Sequence, residues 1–139
     1  MNSLRRQLRR DEGRISVYFA IALTGLIIII GLTVDGSGRF RELQRADNIA
    51  AEAARAGGQA IDSGQAIAGG PKVVDPALAV AAAQAYMSAA GVTGTVEVAA
   101  DRLHLTVTVT ITYNTVMLSY IGIDQARVTG HATAQLLTG

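Results

Sequence analysis

The chain predicts an α+β fold: an N-terminal transmembrane helix that extends into an amphipathic helix, then a second, Ala-rich helix, then a three-stranded antiparallel sheet. Three observations carry this. Residues 15–34 contain no Asp, Glu, Lys, Arg, His, Asn or Gln. Residues 39–62 and 76–90 place small apolar side chains at helical spacing, and beyond Gly94 the apolar positions recur every second residue. The boundaries expected are a basic flank over 1–14, a span over 15–34, an extended amphipathic helix over 35–62 and an α+β domain over 63–139.

The flank centres on Arg5, Arg6, Arg9 and Arg10, with Arg14 after Gly13. Before Asp35 five Arg face two acidic residues, a sum of +3; from Asp35 onward seven basic face nine acidic residues, a sum of −2, which together give the chain's +1. Juxtamembrane arginine orients a span with that flank in the cytoplasm, so the C-terminal part is expected outside. The run itself is long enough, at ~1.5 Å per residue, to cross a ~30 Å hydrocarbon layer, and a lone segment in lipid satisfies its backbone only as a helix. A cleaved signal has a shorter apolar region and a small-x-small site after it; here no Ala-x-Ala follows Ile30. A soluble core helix would carry a polar face, for which only Ser16, Tyr18, Thr24 and Thr33 are available.

Gly36, Ser37 and Gly38 follow the run and mark where the rod could bend. Phe40, Leu43, Ala46, Ile49 or Ala50, Ala53 or Ala54 and Gly57 then form a narrow apolar seam, whose small side chains let a helix or a sheet approach closely. Residues 63–74 read as a linker. Asp75 before Pro76 is an N-cap with proline in the first turn, and Gly91 ends that helix, with Leu78, Ala82, Ala85 and Met87 or Ala89 expected inward. Val96 and Val98, then Leu103, Leu105, Val107, Val109, Ile111 and Tyr113, alternate with polar residues across a turn at 100–102, a hairpin; residues 127–137 alternate again as a third strand. Residues 116–123 read as an apolar crossover, loop or helical turn, open to closing the sheet's apolar face or to meeting a partner or the membrane surface.

Few residues suggest chemistry. Cysteine is absent, which excludes disulfides, thiolate metal sites and Cys nucleophiles. The glycines at 36 and 38 do not complete a phosphate loop, because position 41 is Arg41 and no βαβ unit surrounds them. His104 and His131, the two histidines, lie on polar strand faces near Glu97 and Asp101, the one candidate metal cluster; a Ser-His-Asp site lacks any GxSxG elbow. Aromatic residues make up 4% of the chain and Trp is absent, so there is no stacking platform for bases and no nucleic-acid partner is expected. The most regular pattern is the ladder Thr106, Thr108, Thr110 and Thr112, either a repetitive binding face or ordinary solvent-face strand residues.

These parts together resemble the TadE/TadG-like proteins of tight-adherence (Tad, or Flp) pilus systems, especially the small actinobacterial type. The resemblance rests on residues 13–23, on 34–56 with Asp35-Gly36 followed by the Gln44-Arg45-Ala46-Asp47 helix, and on the Thr-rich strands with the last strand; one Lys against eleven Arg suits a high-GC host. It implies a pilin-like fold and a structural, non-catalytic role: a minor pilin-like or membrane-anchored component of pilus assembly that needs no cofactor, metal or small-molecule substrate. Its implied partners are the membrane, pilus or secretion-machinery proteins, and its own kind through helix packing at Gly25, Gly31, Ala46, Ala50, Ala53 and Gly57. Prepilin-type members are cleaved after a Gly, which makes Gly13 and Arg14 the candidate cleavage point, although Tyr18 stands where those members carry Glu. The alternative is an anchored ligand-binding module using the Thr face; an anchored hydrolase ranks last.

Overall fold

The computed structural model describes residues 2–60, 67, 74–101 and 103–136, with side chains from Gly13 onward. Helix α1 (Asn2–Gly58) is followed by α2 (Pro76–Ala89), strand β1 (Thr93–Val98), strand β2 (His104–Asn114), a short 3-10 turn (Leu118–Ile121) and strand β3 (Gln125–Gln135). Most of the expected linker, Arg102 of the hairpin turn and Leu137 fall outside the described residues. The chain forms two compact units, Met1–Ser37 with Thr115–Asp124, and Gly38–Asn114 with Gln125–Gly139.

In the first unit α1 carries the uncharged run, and the segment is long and apolar enough to cross a membrane. Its side chains are open: Ile27, Ile28 and Leu32 are each more than half exposed. A core helix of a soluble protein would be covered, so this surface calls for an apolar surrounding. Both threonine hydroxyls of the run are satisfied within the helix, since Thr24 and Thr33 donate to the carbonyls of Ala20 and Ile29 at 2.8 and 2.9 Å, which removes most of the cost of placing them in lipid. Gly36, Ser37 and Gly38 are helical, and Ser37 donates to Val34 O at 2.9 Å.

The second unit is a three-stranded antiparallel sheet, order β1-β2-β3, with one face on helices. Alternation puts Leu105, Val107 and Val109 of central β2 inward with no exposure, beside Val128 of β3. Each such side chain contributes about 1.5–3 kcal/mol by leaving water. Ala46, Ala50 and Ala53 of α1 are fully buried in the same core, with Ala79, Ala83 and Met87 of α2. The helices come close because the contact residues are small. A Cβ on Gly130 of β3 would stand 2.3 Å from Asp47 N and 2.4 Å from Ala46 C, and one on Gly57 would stand 2.3 Å from Leu105 Cδ2. Asp47 adds a tie by accepting from His131 N at 3.2 Å.

Two expected faces need correction. Phe40 is 58% exposed; the inward stripe runs through Gly38, Ala46, Ala50, Ala53 and Gly57, and Phe40 lies about 200° round from Gly38. Gly38 makes room for the Tyr113 ring, since its Cβ would lie 2.3 Å from the Tyr113 hydroxyl. On α2 the inward residues are Ala79, Ala83 and Met87, whereas Leu78 is 47% exposed and Ala85 is exposed. A helix that is apolar nearly all round has no face for a period to mark. The closest approach selected it instead: Ala79 O sits where Gly57 leaves space, 2.9 Å from that missing Cβ. The start of α2 is as expected, with Asp75 accepting from Ala77 N at 2.7 Å and Leu78 N at 3.3 Å, and Gly91 follows its end at φ 68°.

Candidate functional site: the Asp35 clamp and the polar sheet face

Asp35 closes the uncharged run, and its side chain is the most organised polar group of the first unit. It is 3% exposed, and its carboxylate accepts three backbone N–H bonds from the loop between β2 and β3: Val116 at 2.7 Å on Oδ1, Met117 at 3.0 Å and Leu118 at 2.7 Å on Oδ2. Buried carboxylates are stable only when satisfied in this way, and three amides converging on one charge make strong, charge-assisted bonds. One turn earlier, Gly31 is buried beneath the same loop, where its Cβ would meet Met117 Cβ at 3.2 Å.

The loop is internally closed. Thr115 N donates to Asp124 O at 3.0 Å, the Thr115 hydroxyl donates to Ile123 O, and Ser119 Oγ donates to Val116 O at 2.8 Å. Tyr120 N, Gly122 N and Ile123 N donate to Met117 O, Ser119 O and Leu118 O at 3.2, 3.1 and 3.0 Å. Gly122, at φ 88°, supplies the left-handed residue that reverses the chain. The sheet's apolar face is covered by helices, and among the described residues the core cluster there includes none of 116–123.

The outer face of the sheet is polar across all three strands. Register sets Glu97, Thr106 and Thr133 in one row, Thr95, Thr108 and His131 in the next, Thr93, Thr110 and Thr129 in a third, and Thr112 opposite Arg127. Hydroxyls and imidazole link across it, Thr106 Oγ1 to Thr133 Oγ1 at 3.3 Å and Thr108 Oγ1 to His131 Nδ1 at 3.1 Å. The two histidines are on neighbouring strands but four residues apart in register, since His131 faces Thr108 and His104 faces Gln135, a separation of about 13 Å at strand rise. Among the described residues no group of three His, Cys, Asp or Glu side chains converges.

His104 Nδ1 instead meets Asp101 Oδ2 at 2.8 Å, and Asp101 Oδ1 accepts from Leu103 N at 2.9 Å. Those two bonds, the Leu103 amide first and His104 second, hold the Asp101 carboxyl below its ordinary range.

The remaining sequence candidates are placed as follows. Gly13 and Arg14 are helical and exposed. Gly25 lies in a shallow apolar notch with Ala20, Ile21, Thr24 and Ile28, open to a neighbour. Gly31 is occupied by Met117, and Ala46, Ala50, Ala53 and Gly57 by the chain's own core. Sequence reasoning missed the part Asp35 plays, using it only as the residue after the run and as half of the Asp35-Gly36 pair in the resemblance. A lone carboxylate directly after twenty uncharged residues was the available signal.

Compared with known proteins, residues 13–60 match the family model Tad, described as "Putative Flp pilus-assembly TadE/G-like". No curated protein and no solved structure is significantly similar to the chain. The matched stretch is the part of α1 that runs through the uncharged segment, Asp35 and the small-residue stripe.

Proposed function

We propose that this chain, TadE/G-like over residues 13–60, is a single-pass, non-catalytic component of Flp-type pilus assembly, of minor-pilin kind. The observation that carries the reading is the coincidence of the family match with one helix that holds an uncharged, exposed run and then a stripe of Ala and Gly. In this reading 1–14 is the cytoplasmic flank, 15–34 the span, and 35–62 leads into an extracytoplasmic α+β domain over 63–139, oriented by the arginines. Its partners are the bilayer and the pilus-assembly machinery. Gly25 and its notch are the part of the span left open for a neighbouring helix, since small residues let helices approach in lipid.

N-terminal sequencing of protein from membranes and from sheared surface fractions tests it. A mature start at Arg14 in sheared fibres makes the chain a fibre subunit; an intact Met1 end found only in membranes refutes that role and leaves an anchored assembly component. A reporter fused after Gly139 that is active only in the cytoplasm would overturn the orientation.

A second reading, an anchored ligand-binding module, draws support from the uncovered rows of Thr and His on the outer sheet face. Thr108→Lys with Thr110→Lys separates the two. Lost ligand adhesion with normal fibre assembly favours the module, and lost assembly favours the pilus role.

A further inference from the structure

We infer that the loop 116–123 is a second membrane contact, seated in the headgroup–acyl boundary of the bilayer that α1 crosses; the inference rests on α1 being a span.

Three features of the first unit carry it. The first is depth. Met117 backs onto Gly31, inside the uncharged run and about 6 Å along the helix axis before Asp35, the first charge that ends it. The loop is therefore held level with the last turn of the apolar segment, where hydrocarbon gives way to headgroups.

The second is the character of its outer surface. Val116, Tyr120, Ile121 and Ile123 are 54%, 86%, 71% and 47% exposed, and no charged residue lies between Asn114 and Asp124. The last turn of the run at the same depth exposes Leu32 and Val34 as well. An exposed tyrosine among the loop residues suits the interface, where such rings sit at headgroup level.

The third is polar satisfaction. The amides of residues 115, 116, 117, 118, 120, 122 and 123 and the hydroxyls of Thr115 and Ser119 all have protein acceptors. Irregular backbone at membrane depth is tolerated only when its polar groups are satisfied internally, and the buried Asp35 carboxylate satisfies three of them.

Because the chain lacks cysteine, single probes are direct. Ile121→Cys, Ile28→Cys and Thr129→Cys, each labelled with NBD in the full chain in phosphatidylcholine–phosphatidylglycerol vesicles, are quenched by nitroxides on the headgroup or deep on the acyl chain. The label at 121 should lose roughly half its emission to the headgroup nitroxide, as expected for side chains ~5–10 Å into the boundary. The label at 28 should respond to the deep nitroxide, and that at 129 to neither. A label at 121 that behaves like 129 while 28 is quenched overturns the loop contact alone; a label at 28 that escapes quenching overturns the anchor itself. Emission at 121 that is blue-shifted, insensitive to both nitroxides and shifted back to the red when excess lipid dilutes the chain in the bilayer means that a second copy covers the loop, which also overturns the inference.

Discussion

Replacing Asp35 with alanine removes the acceptor of three amide bonds at once. Hydrogen bonds to a charged group are each worth about 1.5–3 kcal/mol, but three bonds to one carboxylate are lost together and the freed amides recover some solvation. A net cost of about 3 kcal/mol for holding the loop closed follows, which corresponds to roughly a hundred-fold rise in its open population. The amides of Val116, Met117 and Leu118 report this directly by hydrogen–deuterium exchange in the full chain in micelles, because they are the donors. Asp35→Asn keeps a carbonyl but turns an NH2 toward other donors, so its exchange should fall between the two. The amides of Val107 and Val109, in the other unit, should be unchanged in both variants. Exchange at 116–118 as slow in Asp35→Ala as in the parent chain would refute the clamp as the element that holds the loop.

Other substitutions test the second unit. Leu105→Ala should destabilise it by about 2–5 kcal/mol in thermal or denaturant unfolding, whereas Leu78→Ala, at a half-exposed site, should cost well under that. Gly130→Ala places a methyl against the α1 backbone and should cost at least about 1–3 kcal/mol, with broadened resonances at Ala46 and Asp47. Asp75→Ala removes the cap of α2 and should cost about 1 kcal/mol, read by helical circular dichroism. The lowered Asp101 carboxyl favours the folded turn above the ordinary Asp range, and this contribution disappears as pH falls through the folded value. The change in the Leu103 amide shift that comes from protonating this carboxyl should therefore fall below the ordinary Asp range, and Asp101→Asn should abolish it.

The fold was largely legible because its strongest signals are periodic. Leu105, Val107 and Val109 alternate with threonine on a strand buried on one side, and Ala46, Ala50, Ala53 and Gly57 recur at helical spacing; both patterns survive in the structure as the core. The inward face of α2 was only partly legible: Met87 is inward as expected, but alanine on every side leaves periodicity little to separate, and Leu78 drew attention to the wrong side. Gly38 illustrates a second limit. Its sequence neighbours suggest a bend, whereas its small size serves Tyr113, a residue far along the chain. The position of Asp35 was a signal, but its partners were illegible for a related reason. Its partners are backbone amides, which every non-proline residue carries alike, and they lie 81 to 83 positions away.

That separation also imposes a timetable. As the chain is made from its N-terminus, Asp35 emerges long before Val116, Met117 and Leu118, so until β1 and β2 have followed it the carboxylate has none of these acceptor bonds. Uniting ends that far apart in a free chain costs roughly 4 kcal/mol in closure entropy alone, most of which is already met once Gly38 of α1 lies against Tyr113 of β2, three residues from Asp35 and from Val116. Closure of the clamp therefore favours a chain in which α1 already lies against β2. A truncated or misregistered copy would retain the apolar run but leave an unmatched charge at its end, a difference that separates finished from unfinished subunits by chemistry alone.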